Sequence, residues 1–250
     1  MAKTFYYDSN DILNATLNDG TFSAPSFIDG TPLTNEERAI DQSIASAITS
    51  FDTNDILRFD YGSAVTNDFA ALYLTGSTET NVAILDSNNG TTCNGNITIS
   101  DTIPAGWTVT SLTSESHRYW LVHATNGALT GLTEVILGQK LEFEINPDIG
   151  IGEQEIYGTD VQRSIGGTEY AVKKHNPIST ISMNFSNISS TFKTKLQSME
   201  AAVTDYKKFI YSEDGTTGSF HYVRLEAPIT FTEVAYQRYS TNIKLREQLA

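Results

Sequence analysis

The stretch Arg118-Tyr-Trp-Leu-Val-His-Ala-Thr-Asn-Gly-Ala-Leu-Thr-Gly-Leu-Thr-Glu-Val-Ile-Leu-Gly-Gln-Lys-Leu-Glu-Phe143 decides the fold class. Tyr119, Leu121 and His123 alternate with Trp120, Val122 and Ala124, the two-residue period of a strand. A polar turn rich in Thr, Asn and Gly follows. Glu134-Val-Ile-Leu-Gly138 reads as the return strand, closed by Gly138.

The same period extends on both sides. Ile56, Arg58 and Asp60 alternate with Leu57, Phe59 and Tyr61 until Gly62-Ser63 breaks the run. Phe69–Leu74, Val82–Leu85, Asn96–Ser100 and Trp107–Leu112 read as further strands, and Asp86-Ser-Asn-Asn-Gly90 as a turn. Short strands with polar turns between them indicate a β-sandwich or barrel. Beyond Phe143, Pro147–Gly152 reads as a linker or crossover. Val161–Ile165, a Gly166-Gly167 turn and Glu169–Lys173 form a hairpin, and Ile178–Phe185 alternates again. Phe192, Leu196, Met199, Val203, Tyr206 and Ile210 make one apolar stripe, which predicts a helix over Ser190–Tyr211 capped by Asn187 or Ser189. Glu213–Gly218 ends it. A last strand pair, Phe220–Leu225 and Ile229–Tyr236, is bent at Ala227-Pro228, and Tyr239–Leu245 adds another strand.

At the N-terminal end, Thr4–Tyr7 reads as a strand and Asn18–Thr34 as a loop. Thr34 caps a short helix whose face is Ile40, Ile44, Ala47 and Ile48. The expected organisation is an N-terminal strand and linker over 1–50, with the strand open to pairing with the C-terminal unit. A β-sandwich follows over 51–148, then a β-rich unit over 149–250 carrying helix 190–211.

The chain has 250 residues, of which 39% are hydrophobic and 18% charged, with net charge −14. That apolar content supports a core, and the abundance of Ser, Thr, Asn and Gly suits a turn-rich β protein. A nucleic-acid binder needs a basic footprint, and the longest basic element is Lys173-Lys174-His175. Acidity also argues against docking on an anionic membrane. Cys93 is the one cysteine, so folding does not depend on an intramolecular disulfide. The first residues lack a signal-peptide core and no window is apolar enough to span a bilayer, so folding in a cytoplasm is the expectation.

Catalytic patterns are sparse. His117, His123, His175 and His221 lie apart, none in a His-x-x-x-His or Glu-x-x-His setting, which argues against zinc catalysis. His123 reads as a packed or edge-facing histidine. Gly-x-Ser-x-Gly and Walker-type motifs are absent. Cys93, in a polar turn, has no base nearby in sequence. The carboxylate groups Glu142/Glu144 and Asp52/Asp55/Asp60 are the only hydrolase candidates, and they read better as solvated strand faces. Asp86 and Asn88 offer oxygen ligands for calcium without an EF-hand frame. Trp107, Tyr119 and Trp120, with Arg118 beside them, are candidate sugar-binding groups. Tyr119 and Trp120 point to opposite faces of a strand, so one of them belongs to the core. Phe220, Tyr222, Phe231 and Tyr236 are candidates for an assembly surface.

The order Ile56-Leu-Arg-Phe-Asp-Tyr-Gly62, Phe69-Ala-Ala-Leu-Tyr-Leu74, Val82–Leu85, Trp107, Tyr119–Ala124 and Glu134–Gly138 resembles a galactose-binding-like (discoidin-type) β-sandwich found in structural proteins of phage tails. Gln162-Arg-Ser-Ile-Gly-Gly167 and Ile181-Ser-Met-Asn-Phe185 resemble the segment that follows that module. The likeness spans about residues 50–245. It implies a mainly β fold, with a galactose-binding-like sandwich joined to a β-rich, tail-tube-like unit with one long helix. It also implies a virion structural protein of the tail tip, hub or baseplate. Such a protein assembles with itself as a trimeric or hexameric ring and contacts other tail proteins or host glycans, without catalytic residues or a cofactor. The family often holds a structural calcium in a loop. A carbohydrate-binding module without a ring-forming role is the alternative, and a glycan hydrolase the second alternative.

Overall fold

The computed structural model describes residues 3–18, 35–48, 51–52, 55–76, 78–79, 81–88, 93–99, 102–125, 127–148, 151–204, 206–214 and 220–248. Of the expected loop 18–34, Asn18 instead ends a strand; residues 19–34 with the Thr34 cap, the far part of the turn after Asp86 and the end of the Glu213–Gly218 turn lie outside those residues. The chain forms two compact units, one of Tyr6–Lys140 and one of Met1–Phe5 with Leu141–Leu249. The fold is mainly β, as expected, with one α-helix among the described residues. That helix is not long and apolar enough to cross a membrane.

Strand β1 is Thr4–Tyr7. The first unit then holds β2 (Thr16–Asn18), β3 (Ile56–Leu74), β4 (Thr78–Glu79), β5 (Val82–Ser87), β6 (Asn94–Ile99), β7 (Thr102–Ile103), β8 (Gly106–Ala124) and β9 (Leu132–Glu142, all but its end). Its antiparallel order is β9-β3-β8-β5-β6, with β2 on β3, and β4 pairs β7 separately. Each of the runs Phe69–Leu74 and Trp107–Leu112 is the continuation of a neighbouring run: β3 and β8 are single long strands. Gly62 does not end β3. Its φ of 73° makes a bulge, and pairing with β8 shifts between Asp60 and Val65. A bulge bends a strand without terminating it. Leu57 and Phe59 before the bulge, and Ala70, Leu72 and Leu74 after it, bury in one core with Trp120, Val122, Val135 and Leu137. The two halves of the sheet therefore close over a shared interior.

The expected helix after Thr34 is absent. A short 3-10 turn, Glu36–Ala39, stands there, entered from Asn35 at φ 61°. Gln42 also has positive φ, and Asp41 Oδ1 accepts from the Ser43 N–H at 2.7 Å. Side chains that bond the adjacent backbone offer it an alternative to helical pairing. Ile40, Ile44 and Ile48 are nevertheless buried, so the apolar spacing marked burial rather than helix.

The second unit holds β10 (Gly152–Arg163), β11 (Glu169–Ser189), α1 (Ser190–Val203), β12 (Phe209–Ser212), β13 (Phe220–Leu225), β14 (Thr230–Ala235) and β15 (Arg238–Glu247). Its order is β10-β11-β15-β13-β12, with β14 also on β15. Thus β13 and β14 do not pair with one another as expected; both lie on β15. Helix α1 ends eight residues before the expected Tyr211 (211 − 203). Thr204 takes φ 52°, and Phe209–Ser212 pair with β13 from Phe209↔Val223 to Ser212↔Phe220. Phe192, Leu196, Met199 and Val203 bury as the stripe requires. Ile210 is buried from a strand, and Tyr206 is exposed. Phe143 centres the aromatic packing, with ring centroids 4.7 Å from Phe5, 5.5 Å from Phe185 and 6.1 Å from Phe192.

Candidate functional site

Strand alternation sorts the candidate rings. Trp120 stands opposite Phe59 on β3 and Asp86 on β5 and is 0% exposed. It belongs to the core, so it is withdrawn as a ligand-facing group. Tyr119, opposite Asp60 and Ser87, turns to the other face and is half-buried. Arg118 donates from Nε and Nη2 to the two carboxylate oxygens of Asp60 at 2.7 and 2.9 Å, a bidentate pair. These hydrogen bonds hold the Asp60 carboxyl below its usual range. The guanidinium carbons of Arg118 and Arg58 lie 4.9 and 5.6 Å from the Tyr119 ring centroid, within cation–π range. Trp107 is half-buried at the other end of β8, edge-on to Tyr73 at 5.1 Å. Trp107 and Tyr119 are therefore not brought into one site.

The calcium candidates also separate. Asp86 lies within β5, 1% exposed, whereas Asn88 is exposed beyond it. The Asp86 carboxylate faces β8. His117 Nε2 is 3.3 Å from Asp86 Oδ1 and 2.9 Å from Glu115 Oε2, and Asn94 Nδ2 donates to Asp86 Oδ1 at 3.4 Å. The sequence alone shows His117 as one of four separated histidines and does not single out Glu115. The signal available was the Glu-x-His spacing, which on a strand returns two side chains to one face.

A long exposed feature lies in β10 and the first half of β11. They form an antiparallel ribbon from Glu155↔Ser179 to Arg163↔Glu169. Gly167, at φ 84°, sits in the turn, where the Gly167 N–H donates to Ser164 O at 2.9 Å. Among the described residues no other strand pairs with β10. Along the distal ribbon both faces are exposed. Tyr157, Val161, Tyr170 and Val172 are each more than half exposed, and Ile165 stands at the tip. Arg163–Glu169 and Lys174–Asp160 ion pairs cross it.

Of the four assembly candidates, Tyr236 is 86% exposed just past β14, and Phe220 and Phe231 are half-buried. Tyr222 is 4% exposed in β13, with Lys208 Nζ 5.5 Å from its ring centroid; it packs inside the unit and is withdrawn from the surface. The ribbon residues escaped the sequence reading because its alternation of charged and apolar side chains looks like an ordinary half-buried hairpin.

No protein-family model matches the sequence, and neither does any curated protein. Among solved structures the chain is similar to a chitosan-binding module 1 derived from a chitosanase/glucanase of Paenibacillus sp. IK-5. The identity is 19% and the TM-score 0.41, over 54% of this chain and 100% of the module. It is also similar to a CBM32 module from a family 31 glycoside hydrolase of Clostridium perfringens, at 14% identity and TM-score 0.39, covering 50% and 94%. A third is the CBM32 of AlyQ in complex with 4,5-unsaturated mannuronic acid, at 13% identity and TM-score 0.38, covering 53% and 96%. At such TM-scores the superpositions transfer neither ligand nor residue roles.

Proposed function

We propose that this chain is a structural assembly subunit whose β10–β11 ribbon is the arm that holds a second copy. The carrying observation is that ribbon. A two-stranded hairpin in water is marginal by itself, and this one exposes Tyr157, Val161, Ile165, Tyr170 and Val172. Large apolar groups clustered on an arm mark a surface that a partner covers. The C-terminal unit also carries the complementary feature. Among the described residues strand β14 pairs only with β15, and its outward side ends in exposed Val234 and Tyr236. An unpaired edge accepts a strand from a neighbour. Arm and edge are different surfaces of one chain, so their contact is head-to-tail and generates a ring where the rotation closes. The tail tip, hub or baseplate of a virion, with other tail proteins as neighbours, is the setting that the sequence resemblance to phage tail structural proteins implies for such a ring.

Light scattering of the purified chain, followed by negative-stain imaging, tests this reading. A variant joining Ile156 directly to Ile178 through Asn-Gly removes the arm at a registered pair, where a two-residue turn closes a hairpin. The full chain should form closed oligomers and the shortened chain a folded monomer. A full chain that stays monomeric at every concentration, or a shortened chain that still forms rings, sinks the reading.

The second reading is glycan binding by the Tyr6–Lys140 unit, part of the chain being similar to chitosan-binding modules. The observation favouring it is Tyr119, half-buried, with the guanidinium groups of Arg118 and Arg58 4.9 and 5.6 Å from its ring centroid and Asp60 paired to Arg118. A flat ring flanked by planar polar groups suits a sugar. A glycan array on wild type and Tyr119→Ala decides it: hits lost in the variant support the site, and an array without hits removes it.

A further inference from the structure

We infer that Asp86, Glu115 and His117 form a binding site for a divalent transition-metal ion of the zinc class, linking β5 to β8. Their ligand atoms, one imidazole nitrogen and two carboxylate oxygens, all lie within 4.8 Å of one another. An ion about 2.1 Å from each of its ligands holds neighbouring ligand atoms roughly 3.0–3.4 Å apart in octahedral or tetrahedral geometry. The two separations from His117 Nε2, 2.9 and 3.3 Å, already have that size.

The chemistry of the pocket also calls for a cation. His117 Nε2 carries at most one proton yet faces two carboxylate oxygens. Asp86 is 1% exposed and His117 9%, so two of the three ligand groups are held in place inside the fold. An ion in the space between the three atoms satisfies all of them together, where a proton serves one contact well. The exposed Glu115 and Asn94 leave the site open to solvent on one side, which supplies an entry path and room for water as a further ligand. The nitrogen ligand distinguishes this site from a calcium site, since calcium takes oxygen ligands and imidazole suits zinc, copper and nickel.

The site's position explains its use. Asp86 comes from β5, while Glu115 and His117 come from β8. On β8 the site lies where the bulge in β3 interrupts regular pairing, between Asp60↔Tyr119 and Val65↔His117. A metal there would clamp β8 to β5 at the point where the pairing of β8 with β3 is irregular.

The test is Zn²⁺ binding by calorimetry on tag-free full-length protein, with the visible spectrum of the Co²⁺ form as a second readout. The expected result is one ion per chain and a rise in thermal midpoint with added Zn²⁺. Glu115→Gln should weaken binding roughly tenfold or more, since even outer partners of a metal site contribute tenfold or more. Because Glu115 is exposed, this variant keeps the fold. His117→Gln should abolish binding and the Co²⁺ absorption. No stoichiometric binding, or binding unchanged in Glu115→Gln and in folded His117→Gln, overturns the assignment. The measurement is made per chain, so it stands apart from whether rings form.

Discussion

At the residue scale, Gly138 shows how one backbone position constrains the fold. It pairs with Phe69 on β3, and a Cβ at this position would stand 2.1 Å from Tyr7 O and 3.0 Å from Asp8 Cα. Those are backbone atoms with little freedom to retreat. Gly138→Ala should therefore destabilise the Tyr6–Lys140 unit by about 3 kcal/mol, the upper end for overpacking, read from the urea midpoint. An unchanged midpoint would mean the two segments separate without cost. His123 carries a pH effect. It is 8% exposed, between Ile56 and Ala83 in register, and burial lowers its pKa below the ordinary 6.5. The unfolded chain thus takes up a proton first as pH falls. The stability is fully present above 6.5 and is lost as pH falls through the lowered folded value. Urea midpoints between about pH 8 and about pH 5 should fall more steeply in wild type than in His123→Gln. Parallel curves would assign the loss to other groups. Cys93 lies in a related setting: burial first, then Asp86, raises its thiol to about 11, so it stays protonated near neutrality.

At the element scale, α1 and the ribbon contrast. Helix α1 is locally complete. Ser189 Oγ accepts from the Phe192 N–H at 3.0 Å and also donates to Glu144, and the apolar stripe is buried. Ser189→Ala should cost about 1 kcal/mol, the usual value of an N-cap, visible as a lower thermal midpoint. A change within error would mean water replaces the cap. The ribbon has the opposite economy. Its cross-strand ion pairs are exposed, where such pairs contribute little, and its apolar side chains have no cover within the chain. Its order in solution should accordingly follow assembly. Amide exchange over 157–174 should be fast in dilute protein and slow where oligomers form.

At the scale of the whole molecule, charge opposes association. With net charge −14, copies repel one another, and an arm of apolar contacts must overcome that repulsion. Raising NaCl from about 0.01 M to about 1 M shortens the screening length from roughly 30 Å to roughly 3 Å. Oligomer mass should therefore rise with salt. A fall with salt would show that ion pairs, rather than the ribbon's apolar groups, hold the copies together.

The sequence by itself determined what depends on neighbours along the chain. The period-two runs placed most of the strands, Gly166-Gly167 marked its hairpin, and Phe192, Leu196, Met199 and Val203 marked α1, because burial of one face imprints the period of the element. The opposite orientation of Tyr119 and Trp120 was legible for the same reason. Tertiary structure decided which of the two was core, since periodicity names two faces and not which one is covered. It alone ended α1 at Val203, because β12 gains a partner in β13 that is remote in sequence. It alone put β13 and β14 on β15, and brought Asp86 to Glu115 and His117. Those arrangements depend on strand register, and register is set by which distant surfaces bury together.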